Sequence, residues 1–333
     1  MSKIFLKLVL LAIFTSTLFS AGKVTGAAMH ETPSWFKQSF LDISEDVAEA
    51  SEANKHVMLF LDLDGCPYCT KMMQESFVNE NATQSYIKKH FDVININVKG
   101  SREIAWNEDK SYTEKELAAM LNVPYSPTVL FLDGDKNIVV RLNGYRNPAK
   151  FLQILEYVNT KEYKNMKLTE YLNKVQNKTL YTLKDNKHFQ NINNLSTVKS
   201  PLAIIFEDGS CFDCKRYHDI TFKNKEVDEA MSEFTVVRLD ATSDKKITTP
   251  EGKTISVKDW VKELNLDYRP GMLLYNEGKL QNTVDALLYS FHFKELLRYV
   301  SNKEYKNFDN YLAYLSYIQG VLLNEGKNID LSN

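Results

Sequence analysis

The chain has 333 residues, 44% hydrophobic and 25% charged, and its 41 basic and 43 acidic side chains give a formal net charge of -2. That length exceeds what one hydrophobic core usually organises and suits two, and the composition is globular rather than disordered or fibrous. The near-neutral balance excludes a nucleic-acid binder that works by bulk positive charge.

Lys3 and Lys7 precede the apolar run Leu8 to Phe14, and Thr15 to Phe19 extends it toward Ser20 and Ala21. Charged, apolar, then small is the order of a secretory signal peptide, expected over residues 1–21, with cleavage near Ala21 or alternatively near Ala27 or Ala28. The run from Leu8 to Phe19 has 12 residues, short of the roughly 20 that a spanning helix needs. No membrane span is therefore expected after cleavage.

Ile43, Val47 and Ala50 recur at near-helical spacing within 34–54, with Asp42 or Ser44 as the cap. Val57 to Leu61 is a short apolar strand leading into Asp64-Gly65-Cys66-Pro67-Tyr68-Cys69, and 71–80 reads as a helix with Phe77 turned inward. Phe91 to Val98 alternates as a strand, 100–112 reads as a polar loop, and 113–121 as a short helix. Ser126-Pro127-Thr128 then enters a strand, Asp133-Gly134-Asp135 turns it into a hairpin with 138–142, and Pro148 opens an amphipathic helix to Val158.

The same order recurs. Leu202 to Phe206 leads into Gly209-Ser210-Cys211-Phe212-Asp213-Cys214, and Tyr268-Arg269-Pro270 answers Tyr125-Ser126-Pro127. Tyr157 to Asn165 (YVNTKEYKN) is matched by Tyr299 to Asn307 (YVSNKEYKN), so the chain is two versions of one domain. We place the domains at 32–163 and 185–305, with a helical linker at 164–184 and a C-terminal helix and tail at 306–333, the tail from Asn324 frayed.

All four cysteines lie in the two Cys-x-x-Cys pairs, each after a strand and before a helix. A cysteine at a helix start is held as thiolate by unpaired backbone N–H groups, and a second thiol one turn on resolves the mixed disulfide. Cys66 and Cys211 are thus the candidate nucleophiles, with Cys69 and Cys214 resolving. As structural staples such short loops contribute little, and a joint zinc site would need pairs more than 140 residues apart to meet. Asp213 places a negative charge beside Cys211, for which Arg269 is expected to compensate by facing the sulfur. Asp62 and Asp64, or Glu207 and Asp208, lie close enough in sequence to assist proton transfer, but are expected as solvated turn residues or caps; His218, four residues after Cys214, can be read as a base, but is expected as a surface histidine, because a thiolate at a helix start needs none.

These residues resemble a known family. Gly65 to Cys69, Tyr125-Ser126-Pro127-Thr128, the Leu-Asp-Gly-Asp hairpin and Gly144-Tyr145 are similar to the exported thioredoxin-related proteins of the SoxW type. The resemblance implies an α/β fold of two tandem thioredoxin-like domains, each a central mixed sheet flanked by helices, with connecting and C-terminal helices. It implies cis peptides at Pro127 and its counterpart Pro270, and thiol:disulfide exchange on protein substrates with electrons from a membrane thiol reductase. Pro67, Tyr68, Ser126, Pro127, Thr128, Arg269 and Pro270 would border the client. The carboxylate that cytoplasmic thioredoxins carry six residues before the first cysteine is absent, Phe60 and Ile205 standing there.

The expectation is a periplasmic thiol:disulfide oxidoreductase working in the reductase or isomerase direction. A dithiol oxidase and a redox-silent module that grips clients are the alternatives. No phosphate loop, nucleotide fingerprint or histidine-rich metal cluster occurs, so the expected redox groups are the disulfides alone, without cofactor or metal.

Overall fold

The computed structural model describes residues 21–27, 29–123, 125–175, 180–199 and 201–332. Residues 1–20, which carry the signal-peptide reading, and 176–179 of the expected linker helix lie outside the described residues.

The first half runs β1 (Val24–Thr25), α1 (Ile43–Glu52), β2 (His56–Asp62), α2 (Pro67–Met72), α3 (Ala82–His90), β3 (Phe91–Asn97), β4 (Glu103–Asn107), β5 (Lys110–Thr113), α4 (Glu114–Met120), β6 (Thr128–Leu132), β7 (Ile138–Asn143), α5 (Pro148–Asn159) and α6 (Leu168–Val175). The second runs β8 (Leu202–Glu207), α7 (Cys214–Asp219), α8 (Lys225–Ser232), β9 (Thr235–Asp240), β10 (Lys246–Thr248), β11 (Thr254–Ser256), α9 (Val257–Glu263), β12 (Gly271–Asn276), β13 (Lys279–Val284), α10 (Ser290–Ser301), α11 (Tyr311–Asn324) and β14 (Ile329–Asp330).

Each half builds one mixed sheet, β3-β2-β6-β7 and β9-β8-β12-β13. The strand before each cysteine motif pairs parallel with the next strand on one side and antiparallel with the hairpin on the other. Both faces of these central strands are covered, which is why β2 and β8 are apolar and buried along their length instead of alternating. Strand alternation still assigns the faces. Met58 and Phe60 pack with the α2 and α5 side, whereas Val57, Leu59 and Leu61 pack with the α1 and α4 side. In the second half Ala203 and Ile205 lie on the cysteine-helix face, and Leu202, Ile204 and Phe206 on the other.

Local sequence sets the helix ends. Asp42 caps α1 by accepting from the Ser44 and Glu45 amides, Thr113 and Glu116 form a capping box on α4, and Asn147 caps α5 ahead of Pro148. Phe77 is fully buried, as expected.

Two segments depart from expectation. The loop expected at 100–112 is the β4–β5 hairpin, because Ile104 pairs with Tyr112 and buries itself against α1 while the polar turn between the strands faces outward. The tail expected to fray carries β14, which pairs in parallel with β1; Ile329 and Leu331 are buried there, and that burial holds the segment.

The halves dock through the helical faces of their sheets, and the apolar residues of both faces form one continuous cluster. Among the described residues no helix is long and apolar enough to cross a membrane.

Candidate functional site

Pro67, with its fixed φ, opens α2 immediately after Cys66, so Cys66 is the N-cap residue and its Sγ accepts the Cys69 amide at 3.1 Å. The same sulfur lies 3.5 Å from the Ser126 carbonyl oxygen, next to the cis peptide Ser126–Pro127. Thr128 turns inward, its hydroxyl donating to the Tyr125 carbonyl at 2.8 Å. Beta strand, helix cap and cis-proline loop thus converge on one sulfur, closed with Cys69 as a disulfide.

The second motif is built differently. Cys211 Sγ accepts the Cys214 amide at 3.0 Å and the two cysteines are bonded, but α7 begins only at Cys214, with Asp213 in the cap position. No proline starts the helix earlier, so the helix-start stabilisation expected of both nucleophiles applies to Cys66 and only weakly to Cys211. Arg269–Pro270 is cis. Arg269 does not face the sulfur: its Nε donates to the buried Asp208 at 2.7 Å. Against the cost of burial, that guanidinium holds the Asp208 carboxyl below its ordinary value. Asp213 accepts the Tyr268 hydroxyl at 2.5 Å, and burial pushes its carboxyl up from its ordinary value.

The carboxylates expected in solvent divide. Asp64 is exposed, whereas Asp62, Glu207 and Asp208 are buried at the strand ends, because each central strand runs one residue deeper than its apolar stretch. His218, expected on the surface, is buried too and bonds Glu207 at 2.9 Å. His30, which no pattern singled out, bonds Asp62 at 2.7 Å and the Thr70 hydroxyl at 3.0 Å.

The cysteines are shielded: Cys66 is 7% exposed, Cys211 1%, and both resolving thiols 0%. Tyr181 and Leu183 of the segment between the domains pack on Cys211 and Cys214. A cleft of about 210 Å³ beside this motif is lined by Lys150, Phe212, Asp213, Tyr268 and Arg269, and burial lowers the Lys150 ammonium to about 8. Phe212, between the two cysteines, is 58% exposed.

The loops that border one motif meet the loops that border the other. Tyr68 stacks on Tyr289 at 4.6 Å between ring centroids; its hydroxyl accepts the Tyr289 amide at 2.8 Å and shares a hydrogen bond with His292 Nδ1 at 2.9 Å. Burial pushes the Tyr68 phenol well up and lowers His292 to about 4, so both are neutral there. Tyr125 reaches Asn282 at 3.4 Å. Arg146, fully buried, donates to Asp267 at 2.6 Å and Asp285 at 3.3 Å and lies over the Tyr268 ring. Burial, with Asp267 alongside, pushes the Asp285 carboxyl up. Gly144, at φ +82°, has a conformation that favours glycine, and a Cβ built there would overlap Ala286 Cβ. Gly144 and Ala286 occupy the same place in the two repeats, between the hairpin and the last helix. Sequence reasoning missed Arg146, Tyr289 and His292. The signal available was that this loop, Gly144 to Pro148 against Ala286 to Ser290, is where the copies diverge.

A cysteine pair held this way, one sulfur on a helix cap beside a cis-proline carbonyl and its partner one turn on, is suited to thiol:disulfide exchange. The sequence profile of the thioredoxin-like domain family matches residues 43–159 and again 189–301. No curated protein matches the chain. Among solved structures, a thioredoxin-fold protein from Helicobacter pylori is 26% identical, covering 36% of this chain and 79% of that one with a TM-score of 0.31. A thioredoxin from Thermus thermophilus is 28% identical over 36% and 85% with a TM-score of 0.29, and the oxidised C-terminal domain of DsbD from Neisseria meningitidis is 19% identical over 34% and 90% with a TM-score of 0.26. With the family profile matching twice over more than half its length, the chain belongs to the thioredoxin-like domain family and carries two copies of that domain.

Proposed function

We propose that the protein is an exported thiol:disulfide oxidoreductase of the SoxW type, acting on protein disulfides in the periplasm in the reducing or isomerising direction. The observation that carries this reading is Cys66 itself, capping α2 and facing the Ser126 carbonyl beside a cis proline. Its thiolate attacks the client disulfide, giving a Cys66–client mixed disulfide and a client thiolate; Cys69 then attacks Cys66 Sγ, releasing the second client thiolate. A membrane thiol reductase returns the two electrons by the reverse exchange.

The second domain has the role of passing electrons to the first. Support comes from the docking of the two motif-bordering surfaces against each other. Insulin reduction tests the assignment: Cys66→Ser is expected to abolish turnover and Cys69→Ser to trap mixed disulfides with clients. Full activity in Cys66→Ser would overturn it. Direction follows from the potential of the Cys66/Cys69 couple, about -270 mV for a reductase and about -120 mV for an oxidase.

A further inference from the structure

Lined by neither cysteine pair, a cleft of about 650 Å³ opens at the boundary between the domains. Arg141 of β7, Lys164, Lys167 and the first turn of α6 line it from the first domain and the helix that follows. Asn265 and Asp267, from the segment that leads to the cis Pro270, line it from the second. Its charges are unequally matched. The two carboxylates are engaged: Asp267 accepts from the buried Arg146 at 2.6 Å, and Glu170 pairs with Lys262 and accepts the Lys167 amide at 3.2 Å. The three cations are not. Arg141 donates to the Leu121 and Asn122 carbonyl oxygens at 2.7 and 3.4 Å, and burial lowers its guanidinium from the ordinary value. Lys167 Nζ reaches Asn265 Oδ1 at 3.5 Å, and among the described residues none of the three, Lys164 included, makes an ion pair.

The second domain supplies a comparison inside the same chain. In its copy of the segment, Lys303 and Lys306 reach Glu277 at 3.1 and 2.7 Å, and the Tyr305 hydroxyl donates to the same carboxylate at 2.9 Å. Lys164 is the counterpart of Lys306 in the repeated YVNTKEYKN and YVSNKEYKN. Glu277 stands seven residues after Pro270, whereas seven residues after Pro127 stands Gly134. The first domain thus keeps the lysine and lacks the acid that neutralises it, and that lysine lines the cleft.

Two more groups at the same place call for an acceptor. The first turn of α6, from Leu168, borders the cleft, and amides of a first helical turn have no partner within their helix. Thr169 in that turn is 6% exposed, and its hydroxyl makes no hydrogen bond. A buried hydroxyl left in that state is costly, and the positive end of a helix beside it favours negative charge. We propose that this cleft binds a small multivalent oxyanion bearing phosphate or carboxylate groups. Arg141, Lys164 and Lys167 match its charge, and the Thr169 hydroxyl and the α6 amides meet its oxygens. Multivalence follows from the three unmatched cations, and the cleft holds many times the ~30 Å³ of one water. The site is independent of disulfide exchange, and failure of either reading leaves the other standing.

Calorimetric titration of the purified protein with inorganic pyrophosphate and with citrate tests the proposal, with chloride at equal ionic strength as the blank. Saturable one-to-one binding of at least one of the two anions is expected, and which of them binds more tightly separates phosphate from carboxylate chemistry. Lys164→Gln and Lys167→Gln, both at exposed positions, should each raise the dissociation constant about tenfold, and Thr169→Val about threefold. Lys225→Gln removes the same charge from an exposed position on α8, outside the cleft, and should leave binding unchanged. The proposal is overturned if neither anion gives saturable heat beyond chloride, or if both lysine variants bind within twofold of the unsubstituted chain. An equal loss in Lys225→Gln would mean attraction by bulk charge and overturns it as well.

Discussion

The docking of the two domains over their own cysteine motifs makes the Tyr68 hydroxyl a sensitive point. In Tyr68→Phe the ring keeps its stack on Tyr289, but the Tyr289 amide and His292 Nδ1 both lose their partner in a buried contact. A buried polar group left without its hydrogen bond costs about 1–3 kcal/mol, and here the cost falls on the docked state only, because undocking lets water satisfy both groups. At 1.36 kcal/mol per decade, the undocked fraction should rise about 5- to 150-fold. Alkylation of Cys66 in the reduced protein reads that fraction, since the residue is only 7% exposed with the domains docked. The expected result is labelling faster by about that factor, with far-ultraviolet circular dichroism unchanged. Labelling within twofold of the unsubstituted chain, in a variant that folds, would refute the view that docking shields this cysteine.

The pH dependence of docking should follow His292, whose value burial lowers to about 4 from an ordinary 6.5. The undocked or unfolded chain then binds the extra proton first, so stability is fully present above pH 6.5 and drains away as pH falls toward 4, bounded at ~3 kcal/mol. Denaturant midpoints measured across that window should lose the slope in His292→Asn. Arg146→Met leaves Asp267 without its buried cation and is expected to cost ~3 kcal/mol, seen in urea as a first transition for domain separation ahead of unfolding. Arg269→Gln strands the Asp208 charge and is expected to cost about 3–5 kcal/mol, whereas Arg269→Gln/Asp208→Asn should recover most of it; a strictly additive double variant would contradict the pairing.

The cysteine motifs, the duplicated order of strands and helices and the proline turns were readable from the sequence because each is local. An apolar run, a Cys-x-x-Cys and a helix cap lie within a dozen neighbours of one another. What escaped notice depends on contacts without a period. Arg146, Tyr289 and His292 sit in loops or at a helix start, and nothing in their spacing says that they meet. His30 reaches Asp62 across 32 positions, and Lys23 reaches Asn328 across 305. The carboxylates were placed in solvent because charge at a strand end usually is exposed; here the partner histidine made burial tolerable, and that partner came from elsewhere in the chain. The misreading of the β4–β5 hairpin has a different cause, since its single buried isoleucine is too little apolar signal to stand out from a polar surround.

The parallel pair β1·β14 acquires a wider meaning from what lies just beyond it. Four residues after β1 ends, the same segment offers Met29 and then His30, which grips Asp62 and Thr70 at the first motif. The last described strand is thus paired with the segment that supplies the histidine bonded to Asp62, while the second pair carries its histidine on its own helix. The same C-terminal segment also meets the second motif's helix, where Arg216 of α7 donates to the Ser332 carbonyl at 3.4 Å. The two copies, alike in strand order, are in that sense wired differently: the buried carboxylate of one is held by a histidine from the leading segment, that of the other by a histidine on its own cysteine helix, and the C-terminal segment borders both.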